Sequence, residues 1–139
     1  MVNTMRVFDY DGDGRSDLLG FQTYGDGLWH IYKSTGRNFV HLDTGIAQEH
    51  LHLADVNGDG LQDAVVESAG KFAVRLNKGG SFDSISATNV LAGEGAKNLR
   101  QAQVLGFNSD GRQDLLAPFG GVWHFLRARP LGVGFDDVP

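Results

Sequence analysis

The chain has 139 residues, 41% of them hydrophobic and 10% aromatic, enough for one domain with a real core. A formal charge of −5 gives no pull toward nucleic acid, and the lack of cysteine excludes a disulfide framework and a thiolate metal centre. The opening Met1-Val2-Asn3-Thr4-Met5-Arg6 has no apolar leader core, and no run nears the roughly 18 apolar residues of a membrane span.

Twenty glycines predict many tight turns, and the chain order shows where they fall. Val7-Phe8 end a first predicted strand, and the acidic loop Asp9-Tyr10-Asp11-Gly12-Asp13-Gly14-Arg15-Ser16-Asp17 follows. Leu18-Leu19 lie in a second strand, Gly25-Asp26-Gly27 read as a hairpin turn, Leu28 to Tyr32 form a third strand, and Phe39 opens a fourth.

The same order then repeats. Leu53-Ala54 lead into Asp55-Val56-Asn57-Gly58-Asp59-Gly60-Leu61-Gln62-Asp63, followed by Ala64-Val65-Val66, by Phe72 to Leu76, by the turn Asn77-Lys78-Gly79-Gly80 and by Phe82. Val104-Leu105 lead into Gly106-Phe107-Asn108-Ser109-Asp110-Gly111-Arg112-Gln113-Asp114, followed by Leu115-Leu116, by Val122 to Leu126 and by Phe135. The closing aspartates lie 46 and 51 residues apart. Ala92 to Gln103 contains Gly93 and Gly95 and no sustained helical stripe, so it reads as a linker running into a strand, and no helix of convincing length is expected.

These elements predict an all-β fold of one β-propeller-type domain, residues 1–139, with three blades of four antiparallel strands at residues 4–45, 46–92 and 98–139. Three blades do not close a ring. Either the chain is part of a longer one, or copies associate to close the array, since open blades would expose apolar faces.

The loops point to calcium, which takes six to eight oxygen ligands from alternating loop positions 1, 3 and 5 and a backbone carbonyl at 7. The expected ligands are Asp9, Asp11, Asp13, the Arg15 carbonyl and Asp17; Asp55, Asn57, Asp59, the Leu61 carbonyl and Asp63; and Asn108, Asp110, the Arg112 carbonyl and Asp114. Glycine at position 6 (Gly14, Gly60, Gly111) allows the sharp turn. An EF-hand is excluded, because its closing Glu at position 12 is here Gly20, Val66 or Ala117. The third loop, with Gly106 at position 1 and two carboxylates, should bind weakest, and all three ions would act as staples for the fold rather than as switches.

Trp29-His30 and Trp123-His124 fall at matching third-strand positions, where strand alternation sends ring and imidazole to opposite faces. One reading makes them a sugar pocket between blades, by indole stacking and imidazole hydrogen bonds. The other makes Trp29, Phe72 and Trp123 core and the histidines packing residues. His50 and His52 share a strand face but have no third ligand for zinc. No nucleophile elbow, HExxH or Cys/His pair is present, so no enzyme is expected.

The loops, with Asp55 to Asp63 the closest match, resemble the FG-GAP/VCBS repeat family, which includes integrin α heads, propeller lectins and propeller segments of bacterial toxin-complex and Rhs-type proteins. Leu116-Ala117-Pro118-Phe119-Gly120 resembles the family's name motif more loosely. The resemblance implies a propeller in which calcium ties the first two strands of each blade, and a non-catalytic recognition or adhesion module for a glycan or protein surface, extracellular or secreted. It leaves two alternatives: a structural propeller segment of a toxin-type protein, and an accessory propeller of a polysaccharide-active enzyme.

Overall fold

A computed structural model describes residues 4–21, 26–47, 51–68, 71–84, 86–91, 101–106, 111–119, 122–129 and 134–138. Twelve strands run in chain order: β1 (Thr4–Phe8), β2 (Asp17–Phe21), β3 (Trp29–Ser34), β4 (Phe39–Asp43), β5 (Leu51–Ala54), β6 (Asp63–Ser68), β7 (Lys71–Arg75), β8 (Ser86–Leu91), β9 (Gln103–Leu105), β10 (Asp114–Phe119), β11 (Val122–Ala128) and β12 (Phe135–Val138). They form three four-stranded antiparallel meanders, β1 to β4, β5 to β8 and β9 to β12. Gln101 is the one helical residue among those described, just ahead of β9; residues 92–100 of the expected linker lie outside them.

The sheets stack through alternating faces. Leu51, Ala64, Val66 and Ala73 of the second sheet join one buried cluster with Leu19, Phe21, Trp29 and Ile31 of the first. Ala54, Val65, Phe72 and Val74 point the other way and join a second cluster with Leu115, Ala117, Leu126, Ala128 and Phe135 of the third. This explains why Ala64-Val65-Val66 is an unbroken apolar run with no exposed surface: β6 is covered on both sides.

Register aligns the three third strands. Phe21 pairs with Trp29, Glu67 with Phe72, and Pro118 with Trp123, each four residues past a loop's closing aspartate. Trp29 and Phe72 are fully buried, because the following sheet lies on them, whereas Trp123 is 54% exposed on the outer face of the third sheet.

One strand start differs from expectation. Phe39 opens β4 and Phe135 opens β12, but Phe82 makes only an isolated bridge to Asn77, and β8 begins at Ser86. The β7–β8 ladder starts at the Val74–Ser86 pair and slips further along, between Lys71 and Ala73, so Phe82 precedes its strand by four residues.

Candidate metal-binding loops

Each acidic loop joins the first two strands of its sheet, and the first two loops are organised by their own carboxylates. At position 1, Asp9 accepts the N–H groups of Gly12, Asp13 and Gly14 at 3.0, 3.2 and 2.8 Å. Asp55 does the same for Gly58, Asp59 and Gly60 at 2.8, 3.2 and 2.8 Å. The wrap requires left-handed backbone at Gly14 and Gly60 (φ 85° and 87°) and also at position 4, Gly12 and Gly58.

The closing aspartates are buried. Asp17 accepts from Tyr10 N–H at 2.8 Å and Ser34 N–H at 2.7 Å; Asp63 accepts from Val56 at 3.0 Å and Asn77 at 2.8 Å. Asp114 accepts from Ala128 N–H at 2.7 Å. Each therefore ties its loop to the end of the third strand.

Loop also binds to loop. Asn77 Nδ2 donates to the Tyr10 carbonyl at 2.7 Å, spanning the first two sheets, and Asp55 and Gln113 exchange two bonds of 2.7 Å, spanning the second and third.

In the first loop Asp9, Asp11, Asp13 and Asp17, and in the second Asp55, Asp59 and Asp63, each offer an oxygen within 4.8 Å of the others. Asp11 Oδ1 is buried without a hydrogen-bond partner, a lone pair that a cation would satisfy. Oxygen donors in this number fit calcium. Asn57 turns its side-chain oxygen toward Asp59 N–H at 3.3 Å. Arg15 and Leu61 donate N–H to the position-5 carboxylates at 2.8 and 2.9 Å. Of the third loop, Asn108 and Asp110 lie outside the described residues; Arg112 Nε reaches the Ala128 carbonyl at 3.4 Å.

The two loops differ in charge balance. Lys33 Nζ lies 2.8 Å from both Asp11 and Asp13, a contact twenty residues distant from Asp13 that local pattern does not reveal. Its hydrogen bond, with the Arg15 N–H, draws the Asp13 carboxyl down to about 2. In the second loop burial pushes the Asp63 carboxyl up to about 6, opposed by the Asn77 and Val56 N–H groups and reinforced by the charges of Asp59 and Asp55.

The sign follows. An unfolded Asp titrates near about 3.9, so without metal the folded state keeps a proton on Asp63 that the unfolded chain has released. That contribution is complete below about pH 4 and is lost as pH rises through about 6; Asp13 acts oppositely, losing its contribution below about pH 4. NMR titration in chelator should place the Asp63 midpoint near 6. A midpoint below 4 would contradict this burial and crowding.

The other expected ligand residues separate. Trp29 is core and does not line a pocket, because the second sheet covers it. His30 lies on the opposite face of β3 among Asp26, His41 and Asp43. Trp123 is exposed, and His124, half-buried, alternates with it on β11. His50 lies outside the described residues, whereas His52 lines a cleft of about 530 Å³ between the first two sheets with Arg6, Val7, Phe8, Asp9, Leu53, Gly60 and Gln62.

Stacked β-meanders whose first two strands are joined by a recurring aspartate-glycine sequence define a tandem β-repeat protein. The chain belongs to the FG-GAP-like repeat family, whose model matches residues 9–66 and 55–117. None of the curated proteins matches the sequence. Among solved structures it is similar to an Agrocybe aegerita lectin described as specifically recognising non-reducing terminal N-acetylglucosamine, with a TM-score of 0.74 and 21% identity. The match covers 96% of this chain and 37% of the lectin, so the chain spans well under half of that protein's length.

Proposed function

We propose that this chain is a calcium-stabilised, non-catalytic β-propeller module that recognises a glycan. The orphaned Asp11 oxygen within a ring of carboxylates carries the calcium part, and the repeat family and the lectin-like fold support the recognition part. Bound calcium would neutralise the clustered carboxylates and hold each loop closed, with Asp9, Asp11, Asp13 and Asp17, then Asp55, Asn57, Asp59 and Asp63, as its holders.

The cleft between the first two sheets is the sugar-sized site that fits. Arg6, His52 and Gln62 offer hydrogen-bonding groups, and Val7 and Leu53 offer apolar surface. Its wall includes Asp9 and Gly60, so loop order and cleft shape are coupled. A glycan array should show binding to terminal amino-sugar glycans in calcium, weaker in chelator, and about tenfold weaker for Arg6→Ala. No binding in either buffer would end the glycan reading.

The exposed Trp123 face favours a second reading, in which the chain is part of a larger propeller, within a longer protein or between copies, and serves as scaffold.

A further inference from the structure

Away from the acidic loops, the outer face of the first sheet gathers a different donor set. The β3–β4 register pairs His30 with Asp43 and Tyr32 with His41, which brings two imidazoles and a carboxylate onto one face. His30 Nδ1 lies 2.7 Å from His41 Nε2 and 3.0 Å from Asp43 Oδ1, and His41 Nε2 lies 3.3 Å from the same oxygen. On its far side His30 Nε2 lies 2.9 Å from Asp26 Oδ1.

A carboxylate only accepts, so His30 Nε2 carries the hydrogen toward Asp26, and in the neutral ring Nδ1 is then a lone pair. That nitrogen lies beside the Asp43 carboxylate and His41 Nε2, whose ring stacks on that of His30 with centroids 4.8 Å apart, so two ring nitrogens and a carboxylate oxygen converge. One shared proton relieves one of the three edges, whereas a metal ion relieves all of them. His30 is nearly fully buried, its side chain 8% exposed, while His41 and Asp43 stand at the surface, 51% and 71% exposed, and can adjust to an ion.

The cluster is not a requirement of the repeat. In the second sheet the residue at the His30 position is Ala73, and it pairs with Ala87. The third unit carries His124 at that position, but among the described residues two histidines and an aspartate meet there in the first unit alone, while the acidic loop recurs.

We infer that His30, His41 and Asp43 form a site for a borderline transition-metal ion such as Zn²⁺, with Asp26 orienting His30 through its other ring nitrogen. Two imidazoles and one carboxylate suit zinc and not calcium, which prefers an all-oxygen set. A carboxylate behind a ligating histidine fixes the tautomer and strengthens the ligand. Three protein donors leave a fourth position open. Tetrahedral zinc with ligands at 2.0–2.1 Å holds its donors about 3.4 Å apart, so the 2.7 and 3.0 Å edges must open by about 0.7 and about 0.4 Å, which the exposed His41 and Asp43 allow. The protein would then sort two metals by donor softness, hard oxygen loops for one and a mixed site for the other.

The test is calorimetric titration of the intact chain with Zn²⁺ in saturating calcium, which keeps the oxygen loops occupied. One zinc equivalent is expected, weakened at least tenfold by His41→Ala and by Asp43→Asn, and about tenfold by Asp26→Asn, which removes no ligand. Both direct-ligand changes are at exposed positions, and circular dichroism confirms that each variant folds. Imidazole NMR supplies the independent readout: zinc should move the His30 and His41 signals together. If zinc binding is the same in wild type and in the His41→Ala, Asp43→Asn double variant, or if the two signals respond to pH but not to zinc, the cluster only shares a proton and the proposal is overturned. Calcium titration of the same variants should be unchanged, so failure here is distinguishable from failure of the calcium reading.

Discussion

Trp29→Ala is expected to lower stability by about 3–5 kcal/mol, and Trp123→Ala, at the matching register, by less than about 1 kcal/mol. Both indoles sit in a third strand opposite the residue four past the loop's closing aspartate, one opposite Phe21 and the other opposite Pro118. The second sheet covers Trp29, and its ring lies 5.3 Å from that of Phe21, so truncation leaves a cavity in close-packed core. Nothing comparable is lost at Trp123, which is 54% exposed. Urea unfolding of the two variants measures the difference. Equal losses would mean that the sheets do not stack in this order. A loss at Trp123 that appears only at high protein concentration would reveal a partner on that face.

The second large effect is expected at Asp63. Asp63→Ala leaves the buried N–H groups of Val56 and Asn77 without acceptors, at about 1–3 kcal/mol each. The damage spreads, because Asn77 also holds the Tyr10 carbonyl of the neighbouring loop. Asp59→Ala, at an exposed position, should by contrast change the melting temperature in chelator little while reducing the stabilisation that calcium adds. Thermal melts of both variants, with calcium and with chelator, separate the two roles. An Asp63→Ala protein as stable as wild type in chelator would show that the aspartate serves the ion alone.

The repeat was legible because its signals are local. Aspartates at alternate positions, glycine at the sixth and short apolar runs on either side identify the loop and the strands it joins, and alternation correctly put Trp29 and His30 on opposite faces. What the sequence concealed depends on contacts between distant segments. Trp29 and Trp123 look alike in their own strands, and only the position of the next sheet decides which is core. Phe82 kept the expected offset but makes only a bridge to Asn77, and β8 starts four residues later, which spacing does not encode. Lys33 reaches the first loop, and Asn77 reaches across to it, through pairings that exist only once the sheets are formed. The His30, His41 and Asp43 cluster becomes visible only when the β3–β4 register sets Tyr32 against His41.

The second sheet presents Phe72 on one face and receives Trp29 on the other. A unit copied in tandem would bring its own acceptor face and its own donor face, so gene duplication could lengthen the stack without inventing a new contact. The price of a longer array falls only on its two outermost surfaces, and the number of units becomes something that evolution can change one at a time.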